Sequence, residues 1–145
     1  MSARTPYDDT SVPVSRSQAQ IRDLLKNAGA RGVQIEESWE GDGTALVRFL
    51  WETKGQVQRI RVKVAQLPEE LHGTYKTPDQ RERQAWRGVY WYLKSNLEAS
   101  SFGFIRFEDV FMSFFESDDG RTIGEVVIPQ LEAGRLALPK GGGAS

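Results

Sequence analysis

Residues 44–65 read TALVRFLWETKGQVQRIRVKVA, and their alternation decides the fold class. Val47, Phe49 and Trp51 fall in one phase and Arg48 in the other; further along, Ile60, Val62 and Val64 alternate with Arg59, Arg61 and Lys63. A period of two belongs to a half-buried strand. The TKG between the runs is hairpin chemistry, because glycine accepts the positive φ that a tight turn demands. The stretch therefore predicts strands over 44–52 and 56–65. A third strand-like run, VQIEESW over 33–39, precedes them across EGDG, a second glycine turn.

Helices flank this sheet on both sides. Ser15 stands three residues before Gln18, a capping-box spacing, and Ile21, Leu24, Leu25 and Ala28 share one face before Gly29, so a helix is predicted over 16–28. Thr77, Pro78 and Gln80 have the chemistry of an N-cap, a first helical position and a third, opening a helix that runs to about residue 99. FEDVFMSFF (107–115) predicts a shorter helix, and Thr122 with Glu125 opens a last one, which Pro129 is expected to kink or to start later. The expected fold is α+β, a three-stranded antiparallel sheet with helices packed on one face in the order α-β-β-β-α-α-α. Residues 1–14 read as a flexible N-terminal tail, 15–139 as a single domain and 140–145 as a disordered C-terminal tail.

A chain of 145 residues with 39% hydrophobic content fits one domain with one core. No apolar run is long enough to span a bilayer and the N-terminus lacks a secretory pattern, which predicts a cytoplasmic protein. With no cysteine there is no disulfide, no thiolate zinc site and no cysteine nucleophile. The single histidine, His72, sits beside Gly73 in a connection and reads as solvated. SDDG (117–120) is ordinary turn chemistry before it is a metal site, and GDG (41–43) is a hairpin tip without the strand-to-helix setting of a phosphate loop. No metal or cofactor is expected and no enzymatic motif is strong. A metal-dependent nuclease using Glu108, Asp118 and Asp119 is the third-ranked reading.

Charge is distributed unevenly. Between Lys54 and Lys94 nine basic residues face four acidic ones, an excess of five; between Ser101 and Glu132 seven acidic residues face two basic ones, an excess of five of the other sign. One consequence is two surfaces that attract each other across the fold. The other is a basic face open to a polyanion: Arg48, Arg59, Arg61 and Lys63 project from one side of the sheet, each able to neutralise a phosphate.

The helix QRERQAWRGVYWYLKSNLEAS (80–100) supplies a second basic surface. At about 100° per residue, Trp86, Val89, Tyr90, Leu93 and Leu97 share a core-facing arc, with Arg83, Arg87 and Lys94 directly beside it and Trp91 a little further round. Trp91 is the ring expected to be half exposed. The candidate nucleic-acid-binding residues are accordingly Arg48, Arg59, Arg61, Lys63, Arg83, Arg87, Trp91 and Lys94.

SRSQAQIRDLLKNAGA, RQAWRGVYWYLKSNLEA, GFIRFEDVFMSFF, DGRTIGEVVIPQL and LALP together resemble a family of small proteins of bacteriophages and mobile elements, across about residues 15–139. The most specific pieces are Trp86-Arg87, Leu97-Glu98-Ala99, Phe107-Glu108 and Asp119-Gly120-Arg121-Thr122. The resemblance implies a mobile-element origin and a role as an accessory factor of DNA metabolism, and it brings no catalytic residues. In topology the chain is also similar to phage single-strand annealing proteins and to double-stranded-RNA-binding domains, although PDQRERQ lacks the lysine cluster that opens the second helix of the latter.

These readings converge on a non-enzymatic phage accessory protein of DNA recombination or replication that binds single-stranded DNA through a basic sheet or helix face. The alternative is a protein-binding modulator of a host enzyme, such as RNA polymerase or a defence nuclease, with its contact surface in the acidic, phenylalanine-rich region 102–119. Either role leaves room for an oligomer.

Overall fold

The computed structural model describes residue 7 and residues 9–37, 45–64 and 77–135. EGDG, His72, the domain limit at 139 and the tail 140–145 lie outside the described residues. The element order is α1 (Val14–Ala28), β1 (Gly32–Glu37), β2 (Ala45–Thr53), β3 (Gln56–Val64), α2 (Pro78–Ser101), α3 (Phe107–Phe111), a 3₁₀ turn (Met112–Phe114) and α4 (Ile123–Glu132). This is the α+β order expected, with a three-stranded antiparallel sheet in the order β1-β2-β3.

The β2–β3 hairpin turns on Lys54 and Gly55, both at positive φ, as a two-residue turn of the I′ kind requires. Its register pairs Thr53 with Gln56, Phe49 with Ile60, Arg48 with Arg61 and Val47 with Val62. The inner face therefore carries Val47, Phe49, Ile60, Val62 and Val64, all buried, in one core with Ile21 and Leu25 of α1 and Trp86, Leu93 and Leu97 of α2. Trp51 stacks on Phe107 at 4.3 Å with the rings nearly parallel, and Phe111 meets Phe49 edge-on at 6.0 Å, which holds α3 against the same face. Aromatic contacts of this kind add about 0.5–1.5 kcal/mol beyond the area they bury.

Local chemistry explains most of the ends. Gly29 terminates α1 at φ 110°, and the Thr77 hydroxyl caps α2 by accepting from the Gln80 N–H at 3.1 Å. The Thr122–Glu125 capping box forms, so α4 starts where its cap predicts despite Pro129. At α1 the spacing misleads: Pro13 is the N-cap, without a side-chain bond, and Ser15 lies inside the helix. The Gln18 amide goes instead to Glu37 of β1. The tail is also tied down at its end, where the Gln80 amide donates to the Thr10 carbonyl at 2.9 Å.

The helix expected over 107–115 breaks up. It holds an α conformation only to Phe111 and leaves through the 3₁₀ turn, so that Phe115 runs extended and bridges Ile60 on the free edge of β3. There the Glu116 N–H donates to the Arg59 carbonyl at 2.8 Å. A backbone hydrogen bond to a sheet edge outweighs continuing a five-residue helix that local contacts barely support. The acidic segment 116–125 is thereby placed against β3.

Candidate nucleic-acid interface

The eight candidate residues separate into two surfaces of different character. On the sheet, Arg48 and Arg61 stand opposite each other across β2 and β3, as the alternation predicts, but neither is a free cation. Arg48 donates to Glu36 at 2.6 Å and, through two nitrogens, to Glu116 at 3.2 Å each. Partial burial works against its charge, and the Glu116 and Glu36 carboxylates more than offset this, holding its pKa above the ordinary value. Arg61, expected to be solvated, has a side chain only 15% exposed and is paired with Glu125 of α4. Arg59 is 51% exposed and lies 4.0 Å from Asp118, a loose contact. Lys63 is exposed and makes no ion pair among the described residues. The acidic excess of the C-terminal third is thus the counter-charge of this sheet face. Reversing Arg59 and Arg61 is consequently not equivalent: Arg61→Glu, set against Glu125, is expected to lower the melting temperature by several degrees, and Arg59→Glu to change it little, as thermal melts of the two single variants will show.

The helix surface is built differently. Trp91 is 39% exposed, as its position on the helix implies, with the Lys94 ammonium 4.9 Å from its ring centroid and Lys94 also 3.7 Å from Glu98. Arg83 donates to the Gln80 side chain at 2.7 Å. Arg87 is not at the rim of the core arc but within the fold, only 7% exposed. One guanidinium nitrogen donates to Gln20 of α1 at 2.6 Å, and the group lies 4.2 Å from the centroid of the Tyr90 ring. Burial depresses its pKa and Arg16 nearby adds to that, with Tyr90 and Tyr7 acting in the opposite sense. No carboxylate pairs with Arg83 or Arg87 among the described residues, and the buried Nε atoms of both have no acceptor.

Buried guanidinium groups are ordinarily paired. Here α1 closes over α2 and contributes an amide from Gln20 and a second cation, Arg16, where a structural site would have a carboxylate. Ser17, one turn before Gln20 and fully buried, also has an unpartnered hydroxyl. Arg16, Gln20 and Tyr7 were not among the residues expected from sequence; the available signal was that Arg16 and Gln20 share one face of α1 at a spacing of four.

No protein-family model, curated protein or solved structure matches the chain.

Two of the three residues of the nuclease reading, Glu108 and Asp119, are otherwise engaged. Thr53 donates to Glu108 at 2.6 Å. Hydrogen bonds from the Ser117 hydroxyl and Arg121 hold the Asp119 carboxyl far below the usual carboxylate range, as part of the 117–121 turn. Asp118 points into solvent. Among the described residues no three His, Asp or Glu side chains are grouped to hold a metal. No helix there is long and apolar enough to cross a membrane.

Proposed function

We propose that the chain is a non-enzymatic accessory protein that binds single-stranded DNA along the α1–α2 seam, with Arg83, Arg87 and Lys94 of α2 on the phosphates, assisted by Arg16, and with Trp91 beside them for a base. The observation that carries the reading is Arg87: a guanidinium 7% exposed, with an unpartnered Nε and no carboxylate partner among the described residues, carries a charge that a phosphate would neutralise. Phosphate oxygens are charge-assisted acceptors that suit a guanidinium fork. Aromatic rings next to cations give single strands a stacking platform without base-edge readout. The resemblance to phage and mobile-element proteins agrees with a role in recombination or replication. The sheet cations Arg48 and Arg61 recede in this reading because acids of the same chain already neutralise them.

The test is fluorescence anisotropy of a labelled oligonucleotide over a salt series. Wild type should bind saturably at low salt, with log K falling by about 0.7 per neutralised phosphate for each unit of log salt. Arg83→Glu with Lys94→Glu should abolish binding at moderate salt, whereas Trp91→Ala should lose roughly 1–3 kcal/mol, nearly independent of salt. Absence of saturable binding by the folded protein favours the second reading, a protein-binding modulator. Its own support is at the α2–α3 connection, where Phe102 and Phe104 are 84% and 85% exposed on either side of Gly103. Two large aromatic side chains exposed side by side would gain from burial against a protein partner.

A further inference from the structure

The opposite flank of α2 carries a second site. A groove of about 470 Å³ runs between α2 and the end of β3, floored and walled by Val62, Ala85, Gly88, Val89, Tyr92 and Phe114. Tyr92 and Phe114 meet edge-on at 6.0 Å and form one wall. At Gly88 the floor is open, since a Cβ added there would meet nothing within 4 Å. At about 100° per residue, the midpoint of Ala85, Gly88 and Tyr92 lies roughly 150° around the helix from that of Arg83, Arg87 and Lys94. The groove thus uses a different flank of α2 from the DNA seam, and the two regions meet at Tyr7, which lines the groove and lies near Arg87.

Two features of its rim define what fits. The first is backbone. In a hairpin closed by a two-residue turn, the pair flanking the turn exchanges both hydrogen bonds, so Gln56, Gln58, Ile60, Val62 and Val64 direct their backbone groups to β2 and Arg59, Arg61 and Lys63 direct theirs to the free edge. The Glu116 bond to the Arg59 carbonyl follows this rule, and beyond the Ile60–Phe115 bridge the described residues make no further backbone bond to this edge. The Lys63 N–H and C=O have no partner among the described residues. The second feature is charge: Lys63 and Arg81, one at each side of the groove, make no ion pair among the described residues, and the buried Arg81 Nε has no acceptor.

We propose that this groove binds an extended acidic-apolar peptide segment of a partner protein, added as a short strand at the Arg61–Lys63 edge, with alternate apolar side chains against Val89, Tyr92 and Phe114 and a carboxylate between Lys63 and Arg81. Strand addition takes its affinity from main-chain bonds and its specificity from every second side chain. A second copy of this chain is the poorer occupant, because its β3 edge would bring Arg61 and Lys63 against the same cations.

Selection from a displayed library of random eight-residue peptides, followed by anisotropy of the fluorescein-labelled consensus peptide, tests this. The expected consensus alternates apolar positions and contains at least one Asp or Glu. Gly88→Gln, which fills the groove where an added Cβ meets nothing within 4 Å, and independently Lys63→Glu, should each weaken the peptide at least tenfold with an unchanged circular dichroism spectrum. N-methylation along the peptide should abolish binding at every second position only. No enriched consensus, no alternation in the N-methyl series, or wild-type affinity in both variants overturns the proposal, as does displacement of the peptide by a stoichiometric oligonucleotide. Oligonucleotide binding by Gly88→Gln should equal that of wild type, so failure of the DNA reading and failure of this one are separate results.

Discussion

Trp86→Ala is expected to lower the melting temperature by roughly 10 °C or more, through a loss of about 3–5 kcal/mol. Trp86 is 1% exposed and the largest of the fully buried side chains, in one cluster with Leu93 and Leu97 of α2, Ile21 and Leu25 of α1 and the inner face of the sheet. Removing the indole deletes transfer energy and leaves a cavity in the cluster where α1 and α2 meet the strands. Alanine cannot fill that space, and helices pinned by a cap at Thr77 and a hairpin register cannot collapse into it fully. Set against a total stability of about 5–15 kcal/mol for a domain of this size, the loss is a large fraction. Melts followed by far-ultraviolet circular dichroism measure it, and a midpoint within a degree or two of wild type would contradict the placement of Trp86 in the core.

Features carried by neighbouring residues were legible in the sequence. The hairpin follows from alternation on both sides of Lys54-Gly55, and α2 and α4 begin at Thr77 and Thr122 because an N-cap needs only its own next three residues. The exposure of Trp91 followed from its angle on the helix. What was not legible depends on contacts between distant segments. Phe115 leaves its helix for Ile60, and Arg48 and Arg61 meet Glu116 and Glu125, carboxylates more than sixty residues away. The phase of each strand was right about which face these arginines share but silent about what lies over them; the opposite charge excesses of the two segments were the only hint. Arg87 is the same case in reverse. A helical projection puts it at the rim of the core arc, and only the packing of α1, with Gln20 and Arg16, turns that rim into an interior.

Because Arg87 is buried and no carboxylate among the described residues pairs with it, Arg87→Met should separate stability from binding. Methionine keeps most of the stem's volume and fills irregular gaps, while the substitution removes a buried charge that no carboxylate among the described residues compensates. Replacing buried ionic groups by apolar ones of similar size is often neutral or stabilising. Against this stand the bond to Gln20 and the contact with Tyr90, each of modest worth: about 1.5–3 kcal/mol for a hydrogen bond to a charged group and about 0.5–2 for a cation over a ring. The expected net result is a melting temperature close to that of wild type. Oligonucleotide binding should fall by about 10- to 100-fold, since a charge-assisted contact of about 1.5–3 kcal/mol is lost. A structural arginine would give the opposite pattern, a clear drop in melting temperature with unchanged affinity, and that outcome would remove Arg87 from the DNA seam. Thermal melts and anisotropy on the same preparation distinguish the two, and Arg87→Lys refines the answer: lysine retains the charge but not the planar fork, so partial affinity with a restored salt slope would show that a phosphate is held chiefly by charge.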